Sequence, residues 1–271
     1  MFIADIGINH NGNIKVAESI IKQLSLLNKD IVIKFQKRTP EICVPKDQWE
    51  IVKDTPFGEM SYIEYKKKIE FGKDEYDKID KLCKELGVKW TASVWDIPSL
   101  DFIMQYDVPF IKVASASLTD LELINAIKET GKTVIMSTGG STIEQIETAV
   151  NIVKPNLKCL MHCVSEYPTH DFDANLNVMH TLREKFDVPI GYSGHEIGFE
   201  PTLLSFAMGA YALERHVTLN KKTKGTDHKL SLDMRDMHML FEKMSFLEKI
   251  KGSKEKTITT KEQENMKKLR G

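Results

Sequence analysis

Ile31-Val32-Ile33-Lys34-Phe35-Gln36 is a short β-branched run with a lysine inside it, and Phe110-Ile111-Lys112-Val113-Ala114-Ser115 repeats the pattern further along the chain. Continuous apolar runs of this length read as strands buried on both faces, the signature of a parallel sheet. Working outward from Ile31–Phe35 and Phe110–Ala114, six more such runs fall at Phe2–Gly7, Lys89–Val94, Thr133–Met136, Lys158–Cys163, Pro189–Ser193 and Tyr211–Val217. Helical stripes lie between them, for example Ile14, Ala17, Ile21, Leu24 and Leu27, or Tyr76, Ile79, Cys83 and Leu86. Thr119-x-x-Glu122 and Ser141-x-x-Glu144 read as capping boxes, and a last long helix is expected from Met234 to Ile250. Strict alternation of strand and helix predicts an α/β fold, and eight units predict closure into a single-domain (β/α)8 TIM barrel.

Length agrees, since such barrels take about 250 residues and this chain has 271. The barrel is assigned to residues 1–252. Residues 37–72, after the second strand, form an excursion too long for an ordinary βα loop and read as a lid or substrate wall. Residues 253–271 are a polar, lysine-rich tail, expected as a solvated terminal helix or frayed end. With 38 basic and 39 acidic side chains and a net charge of -1, nothing favours nucleic acid or an anionic membrane as partner. No apolar run approaches the roughly 18–20 residues of a membrane span, and the N-terminus lacks a signal-peptide profile; the expected location is cytoplasmic. Cys43, Cys83, Cys159 and Cys163 form no CxxC pair and read as reduced thiols.

In a TIM barrel the chemistry comes from the C-terminal ends of the strands. Those ends carry Asp5, Asn9 and His10; Lys34 and Gln36; Ser93, Trp95 and Asp96; Lys112, Ser115 and Ser117; and Ser137 to Gly140. The last three strands supply His162, Ser165 and Tyr167; Ser193 and His195; Glu214 and His216. Lys34 and Lys112 each interrupt an apolar strand, where an unpaired ammonium is costly. Each alone suits an internal salt bridge or a snorkelling side chain. Together, near Ser93, Ser115 and Ser137, they favour an anionic ligand such as a phosphate or carboxylate. His195 and His216 end adjacent strands, so they fit either a divalent metal or two core hydrogen-bond partners. His162, beside two cysteines, reads as a packed neutral histidine.

Seven segments occur in barrel order: Ala4 to Gly12, Lys34 to Gln36, Lys112 to Ser115, Ser137 to Gly139, His162 to Pro168, Gly191 to His195 and Glu214 to Thr218. Together they resemble the sialic acid synthase family. The resemblance implies a phosphoenolpyruvate (PEP)-dependent synthase that joins PEP to the aldehyde of an N-acylated hexosamine such as N-acetylmannosamine. The products would be a sialic-acid-type 2-keto-3-deoxy sugar acid and phosphate. It also implies His195 and His216 as ligands of a divalent metal, Mn2+. Lys34, Ser93, Lys112, Ser115, Ser137, Ser165 and Ser193 match PEP-binding positions, while Gln36, Tyr167 and Asp227 match positions that hold the amino sugar. Asp5 stands where family members usually carry Glu, and is assigned to orient or deprotonate a water; Lys112 joins it as a catalytic candidate.

Ser117 replaces a second Glu of the neuraminate synthases, and the sequence shows no C-terminal antifreeze-like domain. A homodimer, on this reading, rests on barrel surfaces. The alternatives are PEP condensation with another aldose or with a sugar phosphate, whose phosphate would need Lys37 and Arg38, or a sugar-binding barrel without catalysis.

Overall fold

The computed structural model describes residues 1–270. Its centre is a closed barrel of eight parallel strands: β1 (Phe2–Gly7), β2 (Ile31–Lys37), β5 (Lys89–Val94), β6 (Ile111–Val113), β7 (Val134–Ser137), β8 (Leu157–Cys163), β9 (Ile190–Gly194) and β10 (Leu213–His216). They are hydrogen-bonded around the ring in the order β1, β10, β9, β8, β7, β6, β5, β2. Each expected strand is present, with ends displaced by at most two residues.

Side chains alternate along each strand, as the two-residue pleat requires. One set faces the surrounding helices and builds the main core, including Ile33 and Phe35 of β2 and Ile111 and Val113 of β6. The other set fills the barrel. Its lower layer is apolar: Ile3, Val32, Phe110, Ile135, Cys159, Met161 and Ala212. Two residues further along the same strands come Asp5, Lys34, Lys112, Ser137, Cys163 and Glu214, all buried. The lysines that interrupt their apolar runs therefore sit at inward parity, one pleat above a dry floor.

Helices cover the barrel as the stripes predict: α1 (Ile14–Leu27), α4 (Lys73–Leu86), α6 (Leu121–Glu129), α7 (Ile143–Val153) and α10 (Met234–Lys251). The two expected capping boxes are displaced by one residue. Asp120, not Thr119, caps α6 by accepting from the Leu123 N–H at 3.0 Å, so no box forms there. Thr142, not Ser141, caps α7 and forms a box with Gln145, whose Oε1 accepts from the Thr142 N–H at 2.8 Å. In both places two good capping residues stand side by side, and the exit angle of the preceding loop selects the second.

The excursion folds as α2 (Pro40–Cys43), a hairpin of β3 (Val52–Thr55) and β4 (Gly58–Ser61), and α3 (Tyr62–Ile69). A capping box between Ser61 and Glu64 starts α3. Tyr65 and Ile69 pack with Ile8 into a satellite core that fixes the helix against the barrel mouth. Beyond α10 the chain ends in α11 (Thr260–Leu269), which has no buried residue. Gly271, the last residue of the expected tail, lies outside the described residues. Among the described residues no helix is long and apolar enough to cross a membrane.

Candidate active site

Above the apolar floor the barrel opens into a cavity of about 500 Å³. All thirteen sequence-predicted site residues line it: Asp5, Lys34, Gln36, Ser93, Lys112, Ser115, Ser137, Ser165, Tyr167, Ser193, His195, His216 and Asp227. Asn9 and His10 lie elsewhere. His10 is stacked on Phe71 at 3.7 Å between ring centroids, and burial holds its pKa down to about 3. His162 meets the carbonyl of Ala174 at 2.7 Å, the packed neutral histidine expected from its surroundings.

A bulge shapes the end of β1. Asp5 pairs with Lys34 and Gly7 with Phe35, so Ile6 is the extra residue. Gly7 takes φ 51° there, and a Cβ on it would lie 3.3 Å from the His216 ring. Glycine is therefore required both by backbone conformation and by the close passage of the histidine.

The charged layer is a quartet. Lys34 Nζ lies 2.7 Å from Asp5 Oδ2 and 4.0 Å from Glu214 Oε1, while Lys112 Nζ stands 3.6 Å from the same glutamate oxygen. Lys112 donates instead to Ser137 Oγ at 2.6 Å, and Ser193 Oγ donates to Glu214 Oε1 at 3.0 Å. Burial opposes the charge on Lys34, but Asp5 and Glu214 outweigh it and hold its pKa above the ordinary value. For Lys112 burial wins over Glu214 and the pKa is lowered. Burial also opposes ionised Glu214, yet Lys112 and Lys34 keep its pKa below the usual value. The internal ion pair read as the alternative for a single lysine is thus real for Lys34, and the two carboxylates balance the two lysines. Asp5 Oδ1 and Glu214 Oε2 are buried with no hydrogen-bond partner among the described residues.

A small-residue cradle lies beside Lys112. The Gly139 N–H donates to Ser115 Oγ at 3.0 Å, and a Cβ at Gly139 would collide with Ser165 Oγ and approach Cys163 Sγ to 3.1 Å. Next to this cradle, with Cys163 Sγ 3.8 Å from His195 Nδ1, the rings of His195 and His216 are 5.5 Å apart and Tyr167 is 4.2 Å from His195. His195 Nδ1 is 2.9 Å from the Val164 carbonyl, which places a proton on that nitrogen. Burial opposes a charge on His195, but Cys163 holds its pKa above the ordinary histidine value. Burial, opposed by Asp5, holds His216 below the ordinary histidine value, and its Nδ1 has no hydrogen-bond partner among the described residues, with Asp5 Oδ2 3.5 Å away. In their neutral forms the two imidazoles, side by side in the cavity, suit a divalent metal. Among the described residues there is no group of three or more His, Cys, Asp or Glu side chains arranged to hold one, so water or a small molecule would supply the remaining ligands.

Among the other residues that line the cavity, Glu214 and Trp95 were expected at strand ends and Arg38 at the start of the excursion, without an assigned role in the predicted site, whereas Lys66 was missed. Glu214 carried a signal, since it shares inward parity with His216. Lys66 is hidden in Lys66-Lys67-Lys68, which reads as a solvated helix face; only its spacing from Tyr62 and Ile69, i and i+7 about i+4, marks it as inward.

Comparison with known proteins decides the family. A family model described as NeuB family matches residues 27–256. The chain belongs to the NeuB family. It is 34% identical over 262 residues to N-acetylneuraminate-9-phosphate synthase of Mus musculus, covering 94% of this chain and 72% of that protein. It is 30% identical over 263 residues to N,N'-diacetyllegionaminic acid synthase of Legionella pneumophila, covering 94% and 74%. Among solved structures, N-acetylneuraminic acid synthetase of Leptospira borgpetersenii, in complex with citrate, superposes with a TM-score of 0.86 at 30% identity, covering 100% of this chain and 91% of that one. The resemblance drawn from seven short segments and the barrel expected from strand alternation are therefore both correct. Within this NeuB-family barrel, the quartet, the cradle and the histidine pair occupy one cavity.

Proposed function

We propose that this NeuB-family chain is a divalent-metal-dependent synthase that condenses PEP with the open-chain aldehyde of an N-acylated hexosamine. The products are a nine-carbon 2-keto-3-deoxy sugar acid and phosphate. One observation carries the reading: two inward lysines, a serine-lined cradle and two histidines converge on a single cavity at the C-terminal ends of the strands. The relatives' names, synthases of neuraminate 9-phosphate and of legionaminic acid, support the product class.

PEP brings a carboxylate and a phosphate, which require cations and hydroxyl donors in fixed positions. Lys34 is committed to Asp5 at 2.7 Å, whereas Lys112 donates to Ser137 Oγ at 2.6 Å and to the Val113 carbonyl at 3.1 Å, with Glu214 3.6 Å away. Lys112 is therefore the side chain that turns to the anion, with Ser115, Ser137 and Ser165 around it. Gln36, Tyr167 and Asp227 line the same cavity and are assigned to the sugar. A divalent metal, manganese in our reading, held by His195 and His216, would polarise the aldehyde oxygen as a Lewis acid. The PEP methylene forms the new C–C bond to the aldehyde carbon, water adds to C2, and phosphate leaves with cleavage of the C–O bond. Asp5, with one oxygen on Lys34 and the other without a partner among the described residues, orients that water and accepts its proton.

Two variants test this. His216→Ala is expected to abolish tight manganese binding by calorimetry together with PEP-dependent phosphate release. Asp5→Asn is expected to keep manganese binding and lose at least 100-fold in phosphate release, in the range of general-base contributions. An Asp5→Asn enzyme as fast as the parent refutes the water-activating role, and undiminished manganese affinity in His216→Ala refutes the metal site.

A further inference from the structure

We infer that Thr169, which stands outside the residues lining the cavity, is a positioning residue of the active site. Its hydroxyl and its backbone N–H hold the turn 164–169 in a shape that serves the serine cradle, the sugar wall and the His195 imidazole together. That role rests on the proposed condensation for the chemistry it supports, and on the hydrogen bonds of this turn for its geometry.

The turn leaves β8 after Cys163 and carries one group for each part of the site. Val164 presents its carbonyl to His195 Nδ1 at 2.9 Å. Ser165 lines the cavity beside Gly139, where an added Cβ would collide with its Oγ. Tyr167 lines the cavity as well, and its ring lies against that of His195 with centroids 4.2 Å apart. Residues 164–168 belong to no strand or helix, so no regular ladder of backbone bonds dictates their path. Something else must close the turn, and the polar groups around it show what does.

Thr169 closes it from two directions. Its hydroxyl donates to the Glu166 carbonyl at 3.0 Å, with the Val164 carbonyl at 3.3 Å as second acceptor of a three-centre bond. Its backbone N–H donates to the His195 carbonyl at 3.0 Å, and Thr169 pairs with Glu196 in an isolated parallel bridge. The Val164 oxygen therefore lies between the Thr169 hydroxyl and the His195 ring. A histidine that gives one ring N–H to a carbonyl offers its other nitrogen to a metal, and that carbonyl sets the plane of the ring. Cys163 Sγ, 3.8 Å from the same Nδ1, is the contact that competes if the carbonyl swings away. Thr169 is 3% exposed, so its hydroxyl serves these carbonyls and not solvent. Valine has the shape of threonine with a methyl group for the hydroxyl, whereas serine keeps the hydroxyl and drops the methyl. The pair separates a donor's role from a packing role.

The test compares the full parent chain with Thr169→Val and Thr169→Ser. NMR of histidine-labelled, metal-free protein reads the exchange rate of the His195 Nδ1–H proton, assigned by its absence in His195→Gln. Calorimetry reads manganese affinity, and phosphate release from PEP with N-acetylmannosamine reads kcat and KM. Thr169→Val is expected to quicken the exchange and to weaken manganese binding, each by about tenfold or more, the range for lost outer partners of metal-binding histidines. Its kcat should fall by a similar factor, while KM for PEP rises by less than about threefold, since Ser165 is one of several groups around that anion. Thr169→Ser should stay close to the parent in every reading, even where its urea midpoint drops for want of the methyl group. Unchanged exchange in Thr169→Val overturns the positioning role, as does unchanged manganese affinity in a chain that binds the metal. Equal losses in Thr169→Ser also overturn it, since they would make Thr169 a packing element only. A parent that releases no phosphate, but whose exchange quickens in Thr169→Val and recovers in Thr169→Ser, removes the condensation and upholds the positioning role.

Discussion

Lys66, buried in the cavity wall, bears on stability. Its pKa in the folded chain, about 8, lies below the ordinary 10.5, so the folded state binds this proton less tightly than the unfolded state. The sign follows directly. Below pH 8 both states carry the proton and the buried ammonium opposes folding in full. That opposition fades as pH rises from 8 to 10.5. Lys66→Met is therefore expected to stabilise the protein at pH 7 by about 1–3 kcal/mol, with the gain shrinking at pH 9.5, as read by urea unfolding. A destabilised Lys66→Met chain would mean that the ammonium has a structural partner.

Among the elements, the ends of β9 and β10 are tied together behind the two histidines. Arg215, fully buried, meets Glu196 Oε1 at 2.8 Å and donates to the carbonyls of Glu196, Gly198 and Leu230. Glu196 follows His195 and Arg215 precedes His216, so one buried ion pair sets the spacing of both imidazoles from the outer side of the barrel. Breaking it leaves a buried carboxylate without a counter-ion, held only by the Thr202 N–H and hydroxyl and the Tyr192 hydroxyl: Arg215→Met should cost about 3–5 kcal/mol in urea unfolding. Adding Glu196→Gln should recover part of that loss. Equal stability of parent and Arg215→Met would show that the pair holds nothing. This tie was not legible in the sequence, where Arg215 and Glu196 are two charges on neighbouring segments. The helix caps show the same limit on a smaller scale: composition marked where α6 and α7 begin, but adjacent Thr119 and Asp120, or Ser141 and Thr142, are told apart only by the path of the preceding loop.

At the scale of the whole molecule, the barrel was readable because its two-faced strands must be apolar on the outside and its units recur regularly. The inner layer was readable for the opposite reason, since lysine, histidine and serine break apolar runs and so announce themselves at Lys34, Lys112, His195 and Ser193. The excursion was not. Its inward lysine lies in a run of three, and its packing on Ile8 depends on contacts between segments far apart in sequence. The carboxylates that balance the inward lysines were visible as residues, but their pairing appears only when β1, β2, β6 and β10 close into a ring. The measurement that bears most directly on the central claim is phosphate release from PEP in the presence of manganese and an N-acylmannosamine or its 6-phosphate. It should be paired with calorimetric titration of PEP and with removal of metal by EDTA. The account predicts acceptor-dependent release of one phosphate per sugar acid formed, abolished by EDTA and restored by manganese. No release with either acceptor, together with no PEP binding, would contradict it.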